Sequence, residues 1–266
     1  MIETQTKRFA PGTFCWAELM TSDGNSAKEF YGRLFGWSFK EDPLPDGSSY
    51  IMFDFDGKNV AAAYQMSAEM QKQVPPNWGQ YVAVDSVDDA ARKAVEAGGK
   101  VLMEPMDVME VGRMAALQDP SGAAISAWQA KEHQGFELFD TVGGHCWTEL
   151  LTDDPAKVKG FYSAVFGWST KPMEGMNYEF FMNKQPAGEV LMEAGLMQIT
   201  PEMGPVPPNW MPYFQVANCD DTAAKAQEFG GKVLMPGMDI PPGRFAVLQD
   251  PQGAVFSILQ MKETQA

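Results

Sequence analysis

An aromatic, apolar run, Phe14-Cys15-Trp16-Ala17-Glu18-Leu19, predicts a strand near the start of the chain. Ala27, Phe30, Tyr31, Leu34 and Phe35 then fall at i, i+3, i+4, i+7 and i+8, the signature of a helix with one apolar stripe. Ser26 with Glu29 three residues on has the spacing of a capping box and predicts the helix start there. Three short strand-like runs follow, around Trp37–Lys40, Tyr50–Phe55 and Asn59–Met66, separated by turn-rich Pro43–Ser49 and by Asp56-Gly57. The order of strand, helix and three strands then recurs. Gln80–Val84 is a strand, Val87–Ala97 a helix ended by Gly98-Gly99, and strands lie around Lys100–Met103, Met114–Gln118 and Ala123–Gln129.

The whole pattern is written twice. Trp16-Ala17-Glu18-Leu19 returns as Trp147-Thr148-Glu149-Leu150, 131 residues on, and Phe30-Tyr31 with Leu34-Phe35-Gly36-Trp37 returns as Phe161-Tyr162 with Val165-Phe166-Gly167-Trp168. Pro75-Pro76-Asn77-Trp78, Gly112-Arg113 and Gln118-Asp119-Pro120 return as Pro207-Pro208-Asn209-Trp210, Gly243-Arg244 and Gln249-Asp250-Pro251. In the second copy Asp154 followed by Pro155 marks the helix start, an N-cap with proline at the first helical position. A period this long predicts tandem domains rather than a solenoid. The expected division is an N-terminal arm over 1–11, a first domain over 12–130, a connection over 131–142 and a second domain over 143–262. The fold class is α+β, with two βαβββ units per domain.

Composition narrows the partners. Hydrophobic residues make up 45% of the 266 and aromatics 12%, enough for real cores. A formal charge of −15 repels phosphate backbones, so neither nucleic acid nor an anionic membrane surface is an expected partner. Three cysteines and no apolar segment at the N-terminus predict a reducing, cytoplasmic setting. Cys15, Cys146 and Cys219 are expected as buried core thiols.

With strand–helix–three strands twice per block, Phe-Tyr-x-x-Leu-Phe-Gly-Trp closing the first helix and Asp-Pro-x-Gly turns at Asp119 and Asp250, the chain resembles the vicinal oxygen chelate superfamily. That superfamily holds glyoxalase I, bleomycin-resistance proteins and extradiol dioxygenases. The resemblance implies that each domain curls its sheet into an open barrel, where the enzymes hold a divalent metal. Carried over residue by residue, the first-strand histidine falls on Trp16 and Trp147. The carboxylate slot ending the first unit falls near Ala62 and Gly195, the slot opening the second near Gly79 and Met211, and the terminal glutamate on Ser126 and Ser257. None is a good ligand for a divalent cation, so neither a metal nor another cofactor is expected. His133 and His145, the two histidines, are expected at the surface or a strand edge.

Alternation places Phe14, Trp16, Glu18 and Met20 on one face, with Ala124, Ser126 and Trp128 on the last strand, and Val255, Ser257 and Leu259 in the second copy. The expected site is an apolar, aromatic cavity holding few polar groups. Glu18 and Glu149 are the candidate catalytic residues, since burial among aromatics suits a carboxylate to acid–base work; a structural pair with Arg113 or Arg244 is the competing role. Trp16, Ser126, Trp128, Arg113, Trp78, Trp147, Ser257, Arg244 and Trp210 are the candidate ligand-binding residues. Trp78 and Trp210 have a second reading, as pins at the crossover between units. Met103, Met106, Met109 and Met114, echoed by Met235 and Met238, are expected to fill core gaps in preference to forming a lid. The leading functional reading is metal-free binding of a small, largely apolar or aromatic molecule by an internal pseudo-dimer that is itself monomeric or homodimeric. An enzyme of the lyase, isomerase, glyoxalase or dioxygenase type is the alternative, and barrels filled by their own side chains are a third.

Overall fold

In the computed structural model the described residues are 9–44, 49–185 and 188–262. The expected arm over 1–11 and the turn over Pro43–Ser49 lie partly outside them. The first repeat supplies β1 (Phe14–Thr21), α1 (Gly24–Phe35), β2 (Ser38–Pro43), β3 (Ser49–Phe55) and β4 (Lys58–Gln65). It continues with β5 (Asn77–Ala83), α2 (Val87–Glu96), β6 (Lys100–Val108), β7 (Gly112–Gln118) and β8 (Ala124–Ala130). The second repeat supplies β9 (His145–Thr152), α3 (Pro155–Phe166), β10 (Ser169–Pro172), β11 (Tyr178–Lys184) and β12 (Val190–Gln198). It closes with β13 (Asn209–Gln215), α4 (Cys219–Glu228), β14 (Lys232–Ile240), β15 (Gly243–Gln249) and β16 (Val255–Met261). Each repeat forms one open eight-stranded sheet, in the orders β2-β3-β4-β1-β5-β8-β7-β6 and β10-β11-β12-β9-β13-β16-β15-β14. The βαβββ units predicted from periodicity are all present, in an α+β fold.

The helix start differs from the capping-box reading. Asp23, not Ser26, is the N-cap of α1, its carboxylate accepting from Asn25 and Ser26 N–H. A carboxylate one turn earlier meets the first free amides and their dipole more directly than the Ser hydroxyl. Asp154 caps α3 as read, with Pro155 following it. Gly36 and Gly167 end α1 and α3 in the left-handed conformation that glycine adopts without strain.

The chain divides into two compact units, each taking one βαβββ module from each repeat. One comprises the described residues within 1–16, 80–135 and 148–210, the other those within 17–79, 136–147 and 211–266. In the first unit α2 packs against α3, and Val82, Leu117 and Ile125 of one repeat share a core with Leu150, Phe161, Trp168 and Trp210 of the other. In the second unit α1 packs against α4. The two repeats are thereby an internal pseudo-dimer.

Most of the duplicated motifs serve this packing. In the first unit Trp210 Nε1 donates to Tyr162 Oη at 2.8 Å, and Tyr162 Oη donates to Asp119 Oδ2 at 2.9 Å. In the second, Trp78 Nε1 donates to Tyr31 Oη at 3.0 Å and Tyr31 Oη to Asp250 Oδ2 at 3.0 Å. The other oxygen of each aspartate takes three backbone N–H bonds of the Asp-Pro-x-Gly turn, from Ser121, Gly122 and Ala123 and from Gln252, Gly253 and Ala254. Burial, and then the neighbouring aspartate charge, push both phenols well above their ordinary pKa, so they remain donors.

Candidate functional site

The face of each sheet away from the helices is where the sequence places its site, and the strand register shows what meets there. In β1 and β4, which run parallel, Glu18 stands opposite Ala62 and Met20 opposite Tyr64. In β3 and β4, Tyr50 stands opposite Tyr64 and Met52 opposite Ala62. Period-two alternation therefore gathers Glu18, Met20, Tyr50, Met52, Ala62 and Tyr64 on one surface. Tyr50 Oη donates to Glu18 Oε1 at 2.6 Å, a short charge-assisted bond. Burial, and then the charge of Glu18, raise the Tyr64 phenol. Glu18, Tyr50, Met52 and Tyr64 are half-buried, whereas Ala17, Leu19, Ile51, Phe53, Ala61 and Ala63 on the helix side are buried.

The second repeat repeats the arrangement with changes. Glu149 pairs with Gly195 across β9 and β12, and Tyr178 pairs with Met197 across β11 and β12. Glu149 is only 5% exposed. Tyr50, Tyr64 and Tyr178 join the site although the 131-residue repeat spacing does not pick them out. The signal was there in Tyr50-x-x-Phe53 and Tyr178-x-x-Phe181, but it recurs 128 residues on rather than 131 because the preceding turn is shorter.

The other halves of these faces are filled by their own side chains. In the first unit Trp16, Tyr81, Ser126 and Trp128 are buried. His133 lies edge-on to Trp16 at 4.5 Å between ring centres, and its carbonyl accepts from Trp128 Nε1 at 3.0 Å. A void of about 10 Å³ remains beside Trp128, Phe9 and Gln134, room for about one water. In the second unit Ser257 is fully buried with its Oγ 3.1 Å from Met211 Sδ, Tyr213 and Leu259 are buried, and Trp147 is half-buried.

Several expected site residues lie elsewhere. Trp78 and Trp210 are buried in the helix-face cores as the donors described above, not at a cavity mouth. Arg113 is engaged by Asp88 and Asp107, and Arg244 by Asp220 and Asp239, so neither is the structural partner of a buried glutamate. Phe14 joins the helix-face core, its ring 5.4 Å from that of Trp168 and 5.2 Å from that of Trp210. His145 is the first residue of β9 and buried, not at the surface. Met103, Met106 and Met109 are exposed and fill no core gap, since β6 is an edge strand. Cys15 and Cys219 are buried as read, Cys146 is only half-buried, and all three are free thiols. A separate cleft of about 310 Å³, on the helix side, is lined by Gly24, Asn25, Lys28, Glu41, Ser49, Ile51 and Gln65.

The side chains at the superfamily's metal positions do not fit a divalent cation. They are an indole, a methyl or a hydrogen, and a hydroxyl, and Met211 and Ser257, two of the slots, satisfy each other through a thioether–hydroxyl contact. Among the described residues no group of three or more His, Cys, Asp and Glu side chains is placed to hold a metal. No helix of the described residues is long and apolar enough to cross a membrane.

Residues 13–126 match the family described as the Glyoxalase/Bleomycin resistance protein/Dioxygenase superfamily, and residues 147–259 match the Glyoxalase-like domain. The chain belongs to this superfamily, as a two-domain glyoxalase-like member. It is 43% identical over 257 residues to "Putative glyoxylase CFP32" of Mycobacterium tuberculosis, covering 95% of this chain and 96% of that protein. It is 35% identical over 270 residues to the anthracycline biosynthesis protein DauV of Streptomyces sp. strain C5, covering 96% of each. Among solved structures, the Mn(II)-bound glyoxalase from Novosphingobium aromaticivorans superposes with a TM-score of 0.65 at 16% identity, over 96% of this chain and 83% of that one. The 2,3-dioxygenase LapB from Pseudomonas sp. KL28 does so with 0.63 at 11%, over 97% and 94%. At these identities the likeness is one of fold.

Proposed function

We propose that the protein binds a small, largely apolar or aromatic molecule on the helix-free face, without the divalent metal usual in the superfamily, in a cytoplasmic setting that suits its three free thiols. The observation that carries this reading is the half-buried Glu18 carboxylate, held by Tyr50 beside Tyr64 on a surface otherwise made of methionine and alanine. Such a surface takes an apolar ring and offers an anionic acceptor to one hydroxyl or amine on it. The relatives named for anthracycline biosynthesis support an aromatic ligand, since anthracyclines are fused-ring aromatic quinones.

Calorimetric titration of the purified chain with 2-naphthol and with an anthracycline aglycone, before and after exhaustive chelation, tests the reading. Saturable binding indifferent to chelation is expected. A stoichiometric divalent metal whose removal abolishes binding would refute it.

Enzymatic turnover is the second reading, favoured by the close Glu18–Tyr50 pair, in which a carboxylate and a phenol can pass a proton to and from a ligand. Glu18→Gln separates the two: turnover lost with binding kept marks Glu18 as a catalytic base.

A further inference from the structure

We propose that the two glutamate–tyrosine faces have divided their labour: the face of the first repeat receives the ligand, and Tyr178 fills and closes that of the second. This rests on the binding reading above for what enters the open face, but the closure itself rests on geometry alone.

Gly195 marks the difference between the two faces. It lies within β12, with no positive backbone φ to call for glycine, and a strand interior is a place where glycine weakens the fold. The reason for it is space. A Cβ at this position would collide with the Tyr178 hydroxyl and stand 3.1 Å from Glu149 Oε2. The Tyr178 phenol therefore lies across β12, directly over the register partner of Glu149.

In the first repeat the equivalent position is Ala62, whose methyl is accommodated, and Tyr50 reaches Glu18 while leaving that methyl its place. The Ala62 methyl, itself fully buried, stands in one repeat where the Tyr178 phenol lies in the other. Burial follows the same division: Glu149 is 5% exposed and Glu18 half-buried. The lining follows it too, since the first repeat sets the second phenol Tyr64 where the other has Met197.

Two measurements on the full chain test this. Carbodiimide-driven labelling of carboxylates, read by peptide mass spectrometry, is independent of any ligand. Glu18 is expected to label several-fold faster than Glu149, and Tyr178→Ala to bring Glu149 up towards the rate of Glu18. Equal rates in the unaltered chain overturn the closure.

Titration with 2-naphthol is expected to give one site per chain, weakened by Glu18→Gln, and two sites in Tyr178→Ala. Two sites in the unaltered chain, or one site indifferent to Glu18→Gln, overturn the proposal. No binding by any form, with the labelling difference intact, would refute the binding reading and leave the closure standing.

Discussion

His145 occupies in the second repeat the place that Phe14 holds in the first, each opening its repeat's leading strand. The imidazole lies 7% exposed, stacked on Phe136 at 4.9 Å with ring planes 14° apart, and its Nε2 has no hydrogen-bond partner among the described residues. Burial holds its pKa down at about 3, against an ordinary 6.5. The unfolded chain therefore takes up a proton below pH 6.5 that the folded chain refuses. Stability from this group is full at neutral pH and is lost as pH falls from about 6.5 towards 3, by up to about 1.4 kcal/mol per pH unit. His145→Phe, which installs the first repeat's own residue, should flatten this loss. Thermal melts of both proteins at pH 7 and pH 4.5 check it: the unaltered chain should lose more melting temperature than the variant, and equal losses would dismiss the assignment. Sequence alone could place this histidine at a strand start but could not bury it, because its stacking partner Phe136 lies in the weakly patterned connection.

At the scale of elements, the Trp–Tyr–Asp chains explain why the strongest sequence signals were not the site. Phe-Tyr on a helix, Pro-Pro-Asn-Trp before a strand and Asp-Pro-x-Gly at a turn stand far apart in each repeat, yet one motif of each kind meets in every unit. Tyr162 of α3 joins Trp210 of β13 to the turn after β7, and Tyr31 of α1 joins Trp78 of β5 to the turn after β15. Removing either hydroxyl leaves a buried indole N–H and a carboxylate oxygen without their bond. Tyr162→Phe and Tyr31→Phe should each cost about 1.5–3 kcal/mol of stability in denaturant titrations, with little change in the cooperativity of unfolding. A cost within error of zero for both would show that the pair of bonds is dispensable. The elements themselves were readable from periodicity because helix and strand faces are a local property. The tyrosines beside the glutamates were not, because a three-residue shift in a turn broke their repeat spacing, and only register brings Tyr50 opposite Tyr64 and beside Glu18.

For the molecule as a whole, duplication in the sequence counts the repeats but does not say how they combine. Periodicity tells which stripe of α2 or α3 is apolar, not which partner covers it. In the structure the partner comes from the other repeat: Phe161 of α3 reaches the space left free at Gly99, before β6, and Phe30 of α1 approaches Gly231, before β14. A side chain at Gly99 would collide with the Phe161 ring, and one at Gly231 would crowd Phe30, so Gly98-Gly99, read as a helix stop, also admits the helix of the other repeat. Each unit is then a single core drawn from both halves of the chain, and the peptide connection between repeats is not what holds them together. A protease site inserted between Lys131 and Glu132, both exposed, tests this directly. After complete cleavage the two fragments should co-elute on gel filtration and melt in one transition, since the core that each unit draws from both repeats lies away from the cut. Fragments that separate without denaturant would mean that the repeats are independent domains tethered by the connection, and the interleaved core would have to be abandoned.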